Sequence, residues 1–290
     1  MERKKSGGSF WRDTVKEFKR NRVAVLGTFF VLFVVISGLV GPFINPYPPL
    51  EIDMTNRLAP PSFQHLLGTD NFGRDVLSRI FYGTRLSLVV SVLSVTFSLA
   101  IGTSLGAVAG FFGSIIDEGI MRLMDVLFAF PAVLLAITII SILGQGVQNA
   151  IIAIGVVYTP IFARITRGSV IGVRGLDYVE SARALGAGNT RIITRHVLPN
   201  SMAPIVVETT LSLGFAILSE SALSFLGLGT QPPTPSLGRM LSEGRMYISG
   251  APWLGVFPGI AILLAVLGFN LIGDGLRDAL DPKLKGQGRI

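Results

Sequence analysis

The stretch VAVLGTFFVLFVVISGLVG, Val23 to Gly41, runs for 19 residues without a charged side chain. A helix rises about 1.5 Å per residue, so a run of this length nearly spans a hydrocarbon core about 30 Å thick. The apolar part of a signal peptide is shorter, about 7–15 residues, and leads to a small-residue cleavage site. This run ends in Gly41-Pro42 with no such site. It reads as a retained first membrane span.

Working outward, five further runs of similar character follow: Leu86–Phe112, Val126–Leu143, Val147–Ala163, Ser201–Leu228 and Trp253–Ile272. The fifth of the six spans contains Glu208 and Glu220. A carboxylate within a span is costly and faces protein or water rather than lipid. Glu220 is expected near the outer end, where that cost falls. Composition agrees with a chain immersed in lipid. Half of the residues are apolar and 15% are charged, against about 25% charged in soluble domains. The mean hydropathy is +0.61. The expectation is an all-α membrane protein with about six transmembrane helices. Residues 1–22 form an N-terminal cytoplasmic segment, 23–276 the transmembrane domain and 277–290 a cytoplasmic tail. Within that domain lie an extracytoplasmic segment, 42–85, and a cytoplasmic loop, 164–200.

The chain is basic, with 25 Lys and Arg against 18 Asp and Glu. Such an excess serves either nucleic-acid binding or membrane topology, and its placement decides between them. With a cytoplasmic N-terminus, 19 of the 25 basic residues fall inside and 6 outside. That is the positive-inside distribution, no nucleic-acid motif accompanies it, and no nucleic-acid partner is expected. There are no cysteines and only two histidines, His65 and His196, far apart in sequence. Neither disulfides, thiolate metal sites nor a histidine metal site is expected.

Gly102, Gly106 and Gly110 recur every fourth residue and line one helix face. They predict close backbone approach of another helix rather than a transport role. Pro131, Pro160 and Pro204 sit in or beside spans and are candidate kinks.

One hydrophilic stretch, Arg164 to Asn200, is longer than a connection requires. Its centre reads Tyr178-Val179-Glu180-Ser181-Ala182-Arg183-Ala184-Leu185-Gly186. This predicts a helix closed by a glycine in the left-handed region. Asn189 or Thr190 is expected to cap a second helix, Arg191–Leu198, that stops at Pro199. Ile192, Ile193 and Val197 should face the bundle, with Arg191 and Arg195 facing water or a partner.

These residues resemble the cytoplasmic loop of permeases from binding-protein-dependent ABC importers, whose pattern is E-A-A-x3-G-x9-I-x-L-P. Here Glu180, Ser181, Ala182, Gly186, His196, Leu198 and Pro199 fall at the required spacing, with Ser181 in place of Ala and His196 in place of Ile. The His followed by x-L-P-N is similar to the branch that imports dipeptides, oligopeptides or nickel. So are the segments Leu67–Arg79, Asp125–Pro131 and Ser224–Gly229, and the likeness extends over roughly Arg12 to Pro282.

The resemblance implies that the loop is a coupling helix seated in a groove of a separate ATPase, with Leu185, Gly186 and Ala187 at the contact tip. Glu180 would order the loop through Arg183, Arg174 or backbone donors. The implied partners are a homologous second permease, two ATPase subunits that bind ATP and Mg, an extracytoplasmic binding protein and membrane lipid. This chain itself would bind no cofactor, and the localisation implied is the inner membrane with both termini cytoplasmic. Short peptides are the expected substrate, with nickel as the alternative within the family. A secondary transporter driven by an ion gradient is the alternative of a different class. It would require inverted repeats and ionisable relays, and only Glu208 and Glu220 are available. No G-x-x-x-x-G-K-[S/T] or catalytic constellation is present, so the chain is not expected to hydrolyse ATP.

Outside the loop, Glu208 and Glu220 are the candidate pathway residues. His65 reads as a solvated loop residue in preference to a nickel ligand. Asp70, Arg74, Asp75 and Arg79 read as an outer helix with an exposed Asp75–Arg79 pair.

Overall fold

The computed structural model describes residues 7–280. Residues 1–6 of the expected N-terminal segment and 281–290 of the expected tail lie outside the described residues. The regular elements among the described residues are all helices, joined by loops that include one isolated bridge, Thr69–Asp75. The helices are α1 (Gly7–Arg20), α2 (Arg22–Ile44), α3 (Val76–Phe112), α4 (Ser114–Phe128), α5 (Ala132–Leu143) and α6 (Val147–Arg174). After these come α7 (Asp177–Ala184), α8 (Asn189–Ile192), α9 (Met202–Phe225), α10 (Leu237–Gly244) and α11 (Trp253–Leu280). Five helical stretches are long and apolar enough to cross a membrane, or six if the bent pair α4 and α5 is one span.

The glycine stripe sets the centre of the bundle. Ser98 Oγ donates to Gly155 O at 2.7 Å. A Cβ on Gly102 would lie 2.5 Å from Thr159 O, and one on Gly110 2.8 Å from Arg167 O, while Gly106 abuts Ala163 O. The two helices advance in step, so α3 and α6 run parallel in near backbone contact. Parallel neighbours require the intervening chain to return across the membrane. Residues 113–146 make that return as α4 and α5, bent by 92° at Ala129–Pro131. The third span, expected at Val126–Leu143, therefore starts earlier, at Ser114, and bends at Pro131, one of the candidate kinks. Pro131 lacks the donor that would continue the helix. The 12 residues of α5 rise only about 18 Å, short of a full crossing.

Elsewhere small residues mark the antiparallel seams. Gly38 meets the backbone of Arg85 and Gly41 the ring of Phe81, which fixes α2 on α3. Gly27 and Gly268 interleave with Leu271 and Val31, which fixes α2 on α11. Gly214 and Gly273 join α9 to α11 through Phe269 and Leu211. Asn21, the N-cap of α2, donates to Asp278 Oδ2 at 3.2 Å, so the first and last spans share one membrane side.

Most spans outrun their charge-free cores. The fourth, expected at Val147–Ala163, continues as helix to Arg174. Arginines can extend it because they leave the hydrocarbon and find partners. Arg164 reaches Asp125 Oδ1 at 2.6 Å, and Arg167 grips Asp117 at 2.5 and 2.7 Å. Arg174 donates to Gly110 O and Phe111 O at 2.7 and 3.2 Å. A cation at those terminal carbonyls is favoured by the α3 dipole.

On the opposite side the reading of 65–79 needs correction. His65 is buried, with Nδ1 2.9 Å from Asp75 Oδ2 and its ring 4.6 Å from that of Tyr47. Asp75 does not pair with Arg79. It caps α3 by accepting from Ser78 N at 2.7 Å, and it accepts from Asn45 Nδ2 at 3.0 Å. Arg79, 2% exposed, instead lies 3.5 Å from both Asp70 Oδ2 and Glu243 Oε2. Helical spacing could not reveal this, because residues 69–75 form a tight loop before the helix begins.

Candidate functional site

The coupling segment begins where α6 leaves the bundle. Helix α7 is short and polar and buries a single residue, Val179. Val179 packs with Phe111 of α3, Val170 of α6, Ile192 and Val197. One apolar anchor therefore ties α7 to the ends of the two central helices. Burial raises the Tyr178 phenol above its usual range.

The turn that follows is built as the sequence predicts. Ala187 N donates to Ala182 O at 3.1 Å and Gly186 N to Arg183 O at 2.9 Å. This paired closure is the Schellman arrangement, and it requires a left-handed residue. Gly186 supplies it with φ +81°. Leu185, immediately before the turn, is 88% exposed. Glu180 and Ser181 are exposed, and Ala182 and Ala187 are half-buried. The tip thus offers a large apolar side chain to water, held on a rigid turn.

Two local readings change. Among the described residues Glu180 has no ion pair. Arg174 is occupied by carbonyls, and the Arg183 guanidinium lies 5.8 Å from the Phe111 ring centroid. Glu180 stands in the first turn of α7, where a carboxylate is favoured by the helix dipole. The next helix begins after Gly188, without a side-chain cap from Asn189 or Thr190.

Pro199 does not end that helix. The chain passes through a π turn at Ile193–Val197 and a 3-10 turn at Leu198–Ser201 straight into α9. Changing the hydrogen-bond register absorbs the donor that proline lacks. Leu198 is half-buried and Pro199 exposed within this passage. Ile192 and Val197 are fully buried while Arg191 and Arg195 are exposed, as expected.

The two carboxylates of α9 differ in setting. Glu220 is 1% exposed and sits inside one bundle. Ser87 Oγ of α3 donates to it at 2.6 Å and Ser224 Oγ at 2.7 Å. Ser224 Oγ in turn accepts from Thr230 N at 3.1 Å. Glu220 stands five residues from the end of α9, as expected, and these hydroxyl donors are what allow it to be buried there. Glu208 is half-buried and, among the described residues, accepts only from Ser212 Oγ, at 3.1 Å.

The pairs Arg167–Asp117 and Arg164–Asp125 fasten the bent third pass to α6, and sequence reasoning missed both. Their partners stand 50 and 39 positions apart, so no local spacing announces them.

Residues 102–286 match the family described as binding-protein-dependent transport system inner membrane component. Residues 9–61 match the N-terminal transmembrane domain of oligopeptide transport permease C. The chain belongs to the ABC-transporter permeases of the dipeptide, oligopeptide and nickel importer family. This permease is 50% identical over 275 residues to the dipeptide transport system permease protein DppC of Alkalihalophilus pseudofirmus, covering 95% of this chain and 90% of that one. It is 48% identical to the di/tripeptide permease DppC of Pseudomonas aeruginosa, over 95% and 92% of the two chains. It is 45% identical to the glutathione transport permease GsiD of Pectobacterium atrosepticum, over 98% and 94%. Its fold is similar to the inward-facing MetNI methionine ABC transporter, with a TM-score of 0.55 at 20% identity over 70% of this chain and 96% of that chain. The permease is thus a multi-pass inner-membrane subunit of an ABC importer and carries no ATP-binding motif of its own.

Proposed function

We propose that this subunit translocates dipeptides or oligopeptides by alternating access, driven by separate ATPase subunits that bind ATP and Mg. In this reading it pairs with a homologous permease and receives substrate from an extracytoplasmic binding protein. The observation that carries the mechanism is Leu185, 88% exposed on a fixed turn whose helix is anchored to α3 and α6 through Val179. An isolated exposed leucine is ordinary. One held on a glycine-closed turn, beside a buried anchor leading to the central helices, has the form of a knob for a partner's groove. Glu180, Ser181, Ala182, Leu185, Gly186 and Ala187 would form the docking surface. Leu198 and Pro199 would carry its displacement into α9.

The peptide reading is supported by the relatives, which are named for dipeptide, di/tripeptide and glutathione transport. Nickel is the alternative that the family leaves open. Glu208, half-buried in α9, is the proposed pathway residue of the two carboxylates. Glu220 would then act as a structural link between α3 and α9.

Uptake of labelled dipeptide, oligopeptide and nickel by cells lacking the gene tests the substrate. Loss of peptide uptake, restored by the wild-type gene, is expected. Loss of nickel uptake alone would overturn the peptide reading. For the mechanism, Leu185→Glu should leave the subunit in the membrane and abolish uptake, since it puts a charge where an apolar groove is expected. Normal uptake by Leu185→Glu would sink the coupling assignment.

A further inference from the structure

Arg85 lies on α3 at the depth of Gly38, whose Cβ would stand 3.1 Å from the Arg85 backbone nitrogen. Gly38 is three residues from the end of the charge-free run Val23–Gly41, which places the Arg85 backbone about 5 Å inside the end of the first span. An ionisable side chain at such depth is costly and marks a polar contact or a pathway. Every arginine on the opposite membrane side that α6 carries into the bundle has a partner: Arg164 and Arg167 have carboxylates and Arg174 has carbonyls. The outer Arg74, Arg79 and Arg239 likewise share Asp70 and Glu243. Arg85 differs. It is exposed, and among the described residues no carboxylate, carbonyl or ring engages its guanidinium.

The side chain borders a recess of about 250 Å³ lined by Tyr82, Arg85, Leu86, Val89, Thr234 and Pro235. Leu86, Val89 and Pro235 make most of the wall apolar. Tyr82, Thr234 and Arg85 supply the polar groups. Pockets that enclose a drug-sized ligand run to roughly 300–1,000 Å³, so this one suits a single residue and its carboxylate rather than a long peptide. A guanidinium with free donors matches a carboxylate in charge and in fork geometry. The same charge repels a divalent cation.

We propose that Arg85 binds the C-terminal carboxylate of a peptide as it passes from the outer side into the membrane domain, with the terminal side chain against Leu86, Val89 and Pro235. This inference rests on the peptide reading above.

The test uses proteoliposomes of the complete importer with excess binding protein. Uptake of labelled dialanine and of dialanine amide is measured for wild type, Arg85→Gln and Arg85→Lys. The binding protein is the same in every arm, so any change in the acid-to-amide ratio belongs to the permease. The ratio should fall about tenfold in Arg85→Gln, the scale of one charge-assisted hydrogen bond, and stay within about threefold of wild type in Arg85→Lys. Equal loss for acid and amide would make the role structural and overturn the proposal. An unchanged ratio would make Arg85 a side chain reaching for headgroups and overturn it too. So would loss of the second permease from purified Arg85→Gln complexes, which would place the guanidinium in the subunit interface. Wild-type vesicles that move no peptide would instead remove the peptide reading itself.

Discussion

At Gly186 a single dihedral decides what the residue can be. Its φ is +81° and no atom lies within 4 Å of a built Cβ, so a methyl group meets open space. The penalty for alanine is then conformational, about 1 kcal/mol. Gly188 is equally open but has φ −67°. Gly186→Ala should lower the melting temperature of the purified subunit and Gly188→Ala should not. Equal melting shifts in the two variants would contradict the turn geometry. Glu220 poses a different question, because two serine hydroxyls donate to its two oxygens. Glutamine keeps one acceptor and turns the other into a donor facing a hydroxyl, which can rotate to accept. Alanine leaves a void and strands both hydroxyls, each at about 1–3 kcal/mol. Detergent melting of Glu220→Ala should therefore fall well below that of Glu220→Gln. Matching values would mean that the hydroxyl network does not hold α3 to α9.

Helices α3 and α6 behave as one element because nothing larger than hydrogen separates them at three successive turns. Gly106 faces the Ala163 carbonyl and Thr166 Cβ. Gly106→Leu would drive a side chain into that backbone, and in a membrane close packing is the main force joining helices. Its folded yield should collapse, whereas Gly168→Leu, on the open face of α6, should express normally. Recovery of folded Gly106→Leu at the wild-type level would refute the packing. Helix α7 is tethered more lightly. Val179→Ala removes part of its sole buried side chain and should cost about 1–2 kcal/mol. Uptake should drop with it, because the knob at Leu185 would lose its fixed base.

For the whole molecule the absence of cysteine is useful. Single thiols introduced at Phe63, 104% exposed, and Leu185, 88% exposed, lie at opposite ends of the bundle. An impermeant maleimide added to intact spheroplasts should label Phe63→Cys and spare Leu185→Cys. In inverted vesicles stripped of the ATPase subunits, which would otherwise cover Leu185, the pattern should reverse. Labelling of both from one side would refute the arrangement of six passes with both termini on the basic side. The same arrangement explains why membrane chemistry was readable early. Charge-free runs and the asymmetry of arginine are set by desolvation, which acts on every residue independently of its neighbours.

Desolvation and turn chemistry are local, and so the sequence alone determined a helical chain with five or six apolar passes, the small-residue stripe and the turn at Gly186. Partners distant in the chain were decided only by the tertiary structure. His65 became buried because folding brings Asp75 and Tyr47 to it. Arg79 chose Asp70 and Glu243 over its helical neighbour Asp75 because Asp75 was already committed to the helix cap. Pro131 marked a candidate kink in the third pass, but its 92° angle was set only by folding, with Arg164 and Arg167 of α6 holding α4 through Asp125 and Asp117. Pro199 failed to stop its helix because backbone register changes on either side absorbed the missing donor. Each of these depends on which groups meet after folding, and spacing along the chain carries no record of that.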